Sequence, residues 1–307
     1  MNAEQQNQLT NVVASLTLFE MMVAIGLGVT LTDVLQVARD WRLVCKAALA
    51  SYVLVPAAAV GLLIAFQADP FVAAGFLICA VCPGAPYGPP LTGIAKGNVG
   101  VSVGLMVFLA GSSAVVAPLL LQILLPMILQ YLPALSADSP PFEIDGGKIV
   151  TTLLVVQFLP LCIGLALRSW RPALADRLKR PANLLSMLLN LTLLSLIVYA
   201  QFDMLTAVPL RGYFGMLLLV LGGVASGWLL SGKSNRTAMV MATSVRNVGV
   251  SLVIVSAAFA GTRAVAAATV FGLFQTVVMV LIAIALGRFQ ETGTKNQESG
   301  IQEPSVV

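Results

Sequence analysis

Two apolar segments of this chain are interrupted by residues that are unfavourable in a membrane-spanning helix. The first interruption reads Cys82-Pro83-Gly84-Ala85-Pro86-Tyr87-Gly88-Pro89-Pro90, and the second reads Thr243-Ser244-Val245-Arg246-Asn247-Val248-Gly249. Proline lacks a backbone donor and clashes with the preceding turn, so the backbone must open at the first interruption. Open backbone at membrane depth is tolerated only where it is buried in protein or lines a wet cavity. Two such breaks in matching halves of a chain are typical of a transporter's binding site.

The composition predicts a polytopic integral membrane protein. Hydrophobic residues make up 58% of the 307 residues and charged residues only 10%, whereas soluble domains carry roughly 25% charged residues. The basic residues lie mainly in short loops, where they set topology, so we expect the lipid bilayer and a small solute as partners and no nucleic acid. The chain has no histidine, and its cysteines lack metal-ligand spacing, so no metal site or cofactor is expected. No nucleophile–base spacing predicts an enzyme.

The apolar stretches predict an all-α fold with nine transmembrane helices, since about 20 residues cross the hydrocarbon. The predicted spans are 12–32, 43–66, 71–95, 99–130, 148–167, 184–202, 210–230, 235–259 and 264–287. The third is broken at 82–90 and the eighth near 243–249. Residues 1–11 are predicted as an external N-terminus, 131–147 as an external loop, and 290–307 as a disordered cytoplasmic tail.

The loop charges predict the orientation of these nine spans. One side carries the basic residues Arg39, Arg42, Lys46, Lys96, Arg168, Arg171, Arg177, Lys179, Arg180, Lys233, Arg236, Arg288 and Lys295. The other side carries Lys148, Arg211 and Arg263 with the acidic residues Asp69, Asp138, Glu143, Asp145 and Asp203. The positive-inside rule therefore predicts an external N-terminus and a cytoplasmic C-terminus in the plasma (inner) membrane.

Arg246 is a charged residue inside a predicted span, where it costs about 2.5–3.5 kcal/mol on insertion scales. It could pair internally, with Glu20 of the first span, or cap carbonyls freed by the break. It could instead meet an anionic solute beside the opened helix, where helix N-termini carry partial positive charge. Glu20 is interpreted as a structural or pairing carboxylate rather than a proton carrier. In the solute-binding alternative, Asn247 and Thr243 would offer hydrogen bonds and Tyr87 an amphipathic wall.

Several sequence blocks resemble the bile acid:sodium symporter family, in a divergent bacterial-type form. They are Gly26-Leu27-Gly28-Val29-Thr30-Leu31, Cys82-Pro83-Gly84, Ala95-Lys96-Gly97-Asn98-Val99-Gly100-Val101-Ser102-Val103 and Arg246-Asn247-Val248-Gly249. The resemblance extends from the first span to the ninth. It implies inverted repeats, a panel domain and a core domain, with two broken helices crossing near the membrane midplane. The repeats would be 12–130, with four spans, and 148–289, with five; an additional N-terminal helix of ten-helix members is expected to be absent.

The chain departs from this family at the positions that resemblance assigns to sodium. Gly88 and Pro89 stand where sodium-coupled members have serine and asparagine in Pro-Gly-Gly-x-x-Ser-Asn. Ala242 and Arg246 stand where they have glutamate and glutamine in Glu-x-Gly-x-Gln-Asn, while Asn247 is retained. A family glutamine five residues before a proline corresponds to Ser51. Ser51 and Ser102 are the expected remnants of the ion site, and we expect no coupling to two sodium ions.

The sequence thus predicts a secondary transporter of a small organic anion, bile-acid-like or carboxylate, working by alternating access. A non-transporting sensor or scaffold on the same fold is the first alternative. A cation or proton antiporter is the second, although it would require paired carboxylates at mid-membrane, and Glu20 is the only acid deep within a span.

Overall fold

The computed structural model describes residues 3–132, 147, 150–151, 154–206, 208–259 and 261–299. The described residues form helices joined by short connections and contain no strand. The α-helices are α1 Ala3–Gly28, α2 Leu31–Arg39, α3 Trp41–Leu49, α4 Val55–Ala65, α5 Pro70–Val81, α6 Gly88–Ile94, α7 Val99–Leu129, α8 Leu159–Trp170, α9 Pro172–Thr206, α10 Leu210–Leu230, α11 Arg236–Ser244, α12 Val248–Ala258 and α13 Arg263–Ser299. Short π-helical segments, Ala50–Leu54 and Leu154–Phe158, precede α4 and α8.

Five helices in the described part are long and apolar enough to cross a membrane. They are Trp41–Ala65, Val99–Leu129, Leu210–Leu230, Arg236–Ala258 and Arg263–Gln290. A bent pair, Val12–Gly28 with Leu31–Arg39, would make a sixth, and Pro70–Val81 and Leu154–Trp170 are shorter apolar helices. The polytopic helical fold is confirmed, and the count of nine spans stays a prediction.

The chain turns by 82° between α1 and α2. Thr30 caps α2 with its side chain, while the carboxylate of Asp33 accepts from the backbone N–H of Thr30 at 3.0 Å. This reciprocal capping box satisfies donors that a helix start leaves free. The helix predicted over 12–32 therefore ends at Gly28, and the last two residues of that span belong to the separate short helix α2.

The two broken helices open over shorter stretches than predicted. The first break spans 82–87, because Pro89 and Pro90 lie in the first turn of α6. Proline is favoured there, because N–H groups in the first turn of a helix have no intrahelical acceptor and the N–H that proline lacks is not needed. The second break spans only 245–247. Of the five candidate spans, Arg236–Ala258 is the most enclosed, with 89% of its apolar window buried.

The described helices pack in two groups. A three-helix layer consists of α1, α8 and α9, which pack mainly against one another. A core group contains the remaining helices, in which α5 packs along α13 and α10 along α11. The layer meets the core group chiefly where α1 contacts α12 and where the 154–158 segment contacts α7.

Small residues allow the closest helix contacts within both groups. A Cβ atom at Gly26 of α1 would lie 2.8 Å from the Cα atom of Gly164 in α8. A Cβ atom at Gly223 of α10 would lie 2.9 Å from the Cα atom of Ser244 in α11. Because Gly223 has no side chain, the backbones of α10 and α11 lie in direct contact, as small residues allow in membrane helix packing.

Helix extends into both predicted terminal segments. The first helix begins at Ala3, within the predicted N-terminus 1–11, and α13 continues to Ser299, within the tail predicted to be disordered. Polar residues such as Glu, Gln and Lys are good helix formers, so an established helix can propagate through them. The predicted loop 131–147 falls almost entirely outside the described residues.

Candidate functional site

The two breaks touch each other inside the core group. The backbone N–H of Asn247 donates to the carbonyl of Cys82 at 2.8 Å, and its side-chain amide donates to the carbonyl of Gly84 at 3.3 Å. Gly84 has a φ of 84°, and a Cβ atom there would lie 2.6 Å from the Cα atom of Ala110. Only glycine fits this left-handed turn pressed against α7. The two opened segments are therefore joined by direct hydrogen bonds.

The guanidinium of Arg246 fills the junction of the two breaks. The residue is 1% exposed and is among the largest fully buried side chains in the described part. Its Nη1 donates to the carbonyls of Ser51 and Ala80, each at 3.2 Å, and its Nη2 donates to the carbonyl of Thr243 at 2.5 Å. One cation thus holds three separate helical segments together.

Each of these carbonyls is available for a specific reason. Ala80 lies in the last turn of α5 and Thr243 in the last turn of α11, where carbonyls lack intrahelical donors. Ser51 lies in the π-helical segment five residues before Pro56, and proline has no N–H to return to it. Two helix C-termini, which carry partial negative charge, therefore converge on the guanidinium.

The backbone of Arg246 is held by a second side chain. Its N–H donates to Oε1 of Gln275 in α13 at 2.9 Å, and Nε2 of Gln275 donates to the Arg246 carbonyl at 3.1 Å. Gln275 is 2% exposed. The amide therefore satisfies both polar groups of a residue that lies between two helices.

The predicted solute-binding residues gather at the junction, but three of them are buried in it. The Thr243 hydroxyl lies 2.9 Å from the carbonyl of Met239, and Oδ1 of Asn247 accepts from the backbone N–H of Val250 at 3.2 Å. In this conformation Thr243, Arg246 and Asn247 bind backbone groups. Tyr87 is 45% exposed at the entry to α6.

The two predicted ion-site remnants occupy different surroundings. Ser51 contributes its carbonyl to Arg246, while its Oγ has no hydrogen-bond partner among the described residues. Ser102 accepts a hydrogen bond from the Thr92 hydroxyl at 2.8 Å, and Thr92 also donates to the carbonyl of Gly88 at 2.9 Å. Among the described residues no group of three His, Cys, Asp or Glu side chains could hold a metal ion.

Glu20 lies in the three-helix layer and accepts a hydrogen bond from Ser186 of α9 at 2.5 Å. No ion pair joins Glu20 to Arg246 among the described residues, so the pairing considered from the sequence is wrong for this conformation. The two residues lie in different helix groups, and both terminal nitrogens of the guanidinium already donate to carbonyls at the junction.

A residue that the sequence reasoning missed links the two groups beside the junction. Gln157, in the segment before α8, is fully buried and donates from Nε2 to the carbonyl of Ala110 and to the hydroxyl of Ser113 at 3.1 Å. Its Oε1 has no partner among the described residues. An isolated amide in an apolar span is itself a signal of function, and this one could have been found that way.

A second contact between the groups, where α1 meets α12, is apolar. A Cβ atom at Gly249, in the first turn of α12, would lie 3.8 Å from side-chain atoms of both Leu18 and Met21 in α1. The three-helix layer therefore packs directly against the second broken helix in this conformation.

Comparison with known proteins agrees with this architecture. A model of the Sodium Bile acid symporter family matches residues 15–208, which include the first break but not the second. The human protein "Sodium/bile acid cotransporter 4" is 25% identical over 187 residues, covering 60% of this chain and 41% of that protein. The "Uncharacterized sodium-dependent transporter YocS" of Bacillus subtilis is 25% identical over 155 residues, covering 50% and 44% respectively. The chain thus matches less than half the length of these curated relatives.

The family match covers more than half of the chain and agrees with the resemblance noted from the separate motifs. Its members are symporters, so the prediction that the chain is not an enzyme is confirmed. The apolar helices fit the membrane setting of that family. The chain belongs to the sodium bile acid symporter family of integral membrane proteins.

Proposed function

We propose that this protein is a secondary transporter of a small organic anion that works without coupling to two sodium ions. The observation that carries the proposal is the buried guanidinium of Arg246 at the meeting point of two helix C-termini. In transporters with broken helices, such C-termini and unwound carbonyls are where coupling cations bind. A cation that is part of the chain takes that place here.

The residues at the junction do not suit a sodium ion. A sodium ion about 4 Å from the guanidinium would be repelled by about 4 kcal/mol at an effective dielectric of about 20. The carbonyls of Ala80 and Thr243 already accept from Arg246, and the hydroxyl of Ser102 is bonded to Thr92. The position of the family's glutamate holds Ala242, which is buried in an apolar cluster. No carboxylate is therefore present at that position to offset the repulsion.

Alternating access would use the boundary between the two helix groups. In this proposal α1, α8 and α9 are the panel domain and the other helices are the core domain, whose rocking would expose the solute to each side in turn. The packing of α1 against Gly249 and the bonds from Gln157 to α7 close that boundary beside the junction. Arg246 supports the core as a structural cation, and the solute would enter beside Tyr87 when the groups separate.

The proposed setting is the plasma (inner) membrane, with an external N-terminus and a cytoplasmic C-terminus. The alternating loop charges support this orientation. Ala173 and Arg177, at the start of α9, would then face the cytoplasm.

The proposal can be tested by binding and transport. Purified protein is first screened by thermal shift against organic acids, including cholate, in sodium and in potassium buffers, because a ligand that binds the folded state raises its stability. The acid with the largest shift is then used for counterflow in proteoliposomes. We expect similar stabilisation and similar counterflow in the two salts.

The outcomes separate the alternatives. A steep dependence on sodium, with more than one ion per solute, would overturn the sodium-independent mechanism. Stabilisation by an acid with no counterflow would instead favour a sensor or scaffold.

A further inference from the structure

A cavity of about 630 Å³ lies in the core group, at the ends of α4, α5, α10 and α13. Its wall is mainly apolar and includes Leu62, Phe66, Val72, Phe76, Met216 and Ala267. None of the described residues that line it belongs to α1, α8 or α9. The cavity is therefore formed by core helices and by Val208 and Pro209 of the connection from α9 to α10, and not by the faces of α1, α8 and α9, along which the transported solute is proposed to pass.

Small residues on α10 keep the cavity open. Gly212 and Gly215 line one wall, and a Cβ atom at Gly215 would lie 3.1 Å from the ring of Phe66. Phe76 closes the inner end, where its ring packs edge-on against Phe271 with centroids 5.2 Å apart. Pockets of this size and character bind drug-sized ligands with apolar bodies.

The rim of the cavity is positively charged. Asp69, Arg211 and Arg263 line it. Oδ1 of Asp69 accepts from the backbone N–H groups of Phe71 and Val72 at 3.0 and 3.1 Å, and Oδ2 lies 3.5 Å from Nη1 of Arg263. The carboxylate is thus fully engaged with a helix start and one arginine.

Arg211 is the third charged residue of the lining, beside the paired Asp69 and Arg263. It forms no ion pair with any residue of the described ranges, and it lies at the start of α10 beside the apolar wall. A guanidinium binds a carboxylate through two parallel hydrogen bonds. The rim therefore offers, above an apolar space, one guanidinium that no carboxylate of the described residues binds.

We propose that this cavity binds an amphipathic monocarboxylate, with the carboxylate at Arg211 and the apolar body along Phe66, Val72 and Phe76. A ligand with a cationic head would meet a rim whose one carboxylate is already paired. The site lies at the helix ends that the loop charges place outside, so its ligand would enter from that side.

The probe for this site is radiolabelled decanoate, with decyltrimethylammonium as a competitor of equal chain length and opposite charge. Binding is measured by equilibrium dialysis of the full-length protein in a nonionic detergent, and protein-free micelles are subtracted. Arg211→Gln removes the anchoring charge. Arg171→Gln is the matched control, because Arg171 is an exposed arginine between α8 and α9 that does not line the cavity. Val72→Phe narrows the cavity from α5.

We expect saturable decanoate binding that Arg211→Gln weakens roughly tenfold or more, the size expected for a lost charge-assisted hydrogen bond. Val72→Phe should also weaken it, and Arg171→Gln should not. Decyltrimethylammonium should compete poorly. Equal competition by the cation, or decanoate binding unchanged by both Arg211→Gln and Val72→Phe, would overturn the proposal, because binding would then be to detergent or to another surface.

Discussion

Arg246 and Gln275 form a closed pair in which the side-chain amide of one binds both backbone polar groups of the other. The two distances, 2.9 Å from the Arg246 N–H to Oε1 and 3.1 Å from Nε2 to the Arg246 carbonyl, are those of ordinary hydrogen bonds. Gln275 thus supplies hydrogen bonds that the neighbouring turns would supply if the helix were continuous.

Gln275→Leu should lower the free energy of unfolding by about 1.5–4.5 kcal/mol. It leaves the buried N–H of Arg246 unsatisfied, at about 1–3 kcal/mol, and removes one hydrogen bond, worth about 0.5–1.5 kcal/mol, from the Arg246 carbonyl, which still accepts from the N–H of Val248 at 3.0 Å. Thermal unfolding in detergent measures the effect. Gln122→Leu, an exposed position on α7, makes the same chemical change and should alter stability little. Equal effects of the two substitutions would contradict the role assigned to Gln275.

Arg246→Gln should lower thermal stability with or without a bound organic anion, by about 2–4 kcal/mol, since charge-assisted hydrogen bonds to carbonyls are lost. Arg246→Lys should lie between, because an ammonium keeps the charge but not the planar fork of donors. Ser51→Ala is the control: it keeps the carbonyl that binds Arg246 and removes a hydroxyl without a partner in the described ranges. If Arg246→Gln instead leaves stability unchanged and weakens anion binding, Arg246 binds the solute and is not a structural cation.

The double substitution Ala242→Glu with Arg246→Gln places both family side chains on the second break. We expect at most a weak stabilisation by sodium relative to potassium, because Gly88 and Pro89 still lack side-chain oxygens on the first break. The measurement is the sodium-dependent shift in melting temperature. A large shift in the double variant would mean that the two restored side chains, with other oxygens of the junction, bind sodium without side-chain oxygens at Gly88 and Pro89.

Gln157→Leu should loosen the contact between the three-helix layer and α7. A cysteine at position 249, in a variant lacking the native cysteines, reports on this boundary because Gly249 faces Leu18 and Met21. Its alkylation should become faster in Gln157→Leu and change less in Ser113→Ala, which leaves the bond to Ala110 in place. No change in rate would show that Gln157 does not hold the groups together.

The predicted orientation can be checked with two single cysteines in the same cysteine-free variant. Ser139→Cys should react with an impermeant thiol reagent from outside intact cells, and Ala173→Cys should react only after permeabilisation. The asymmetry of basic residues between the loops is the physical reason. Reversed labelling would invert the topology.

Prolines made the first break predictable in position but not in length. Pro83 and Pro86 lie in the opened stretch, whereas Pro89 and Pro90 begin α6, and a sequence cannot assign a proline to the end of a gap or to the start of a helix. The second break contains no proline, so its polar residues indicated only the region. The bend before α2 carried a signal that was missed, since Thr30 and Asp33 have the spacing of a capping box.

The partners of Arg246 could not be predicted from the sequence. All three are carbonyls, which every residue carries, and they come from segments around Ser51, Ala80 and Thr243 that only the folded chain brings together. Gln157 and Gln275 were visible as isolated amides in apolar spans. Their hydrogen bonds to backbone groups elsewhere in the chain left no corresponding pattern.

A guanidinium that is covalently attached cannot leave with the cargo or be replaced from solution. If a carrier held together by Arg246 is coupled to no other ion, it draws no energy from an ion gradient, and the sign of its solute and the membrane voltage set the direction of net flow. For a monoanion, an inside-negative potential of about 100 mV contributes about 2.3 kcal/mol toward the outside, an equilibrium ratio of roughly fifty. In such an uncoupled carrier, the exchange of an ion for a side chain would turn an accumulating importer into an exporter.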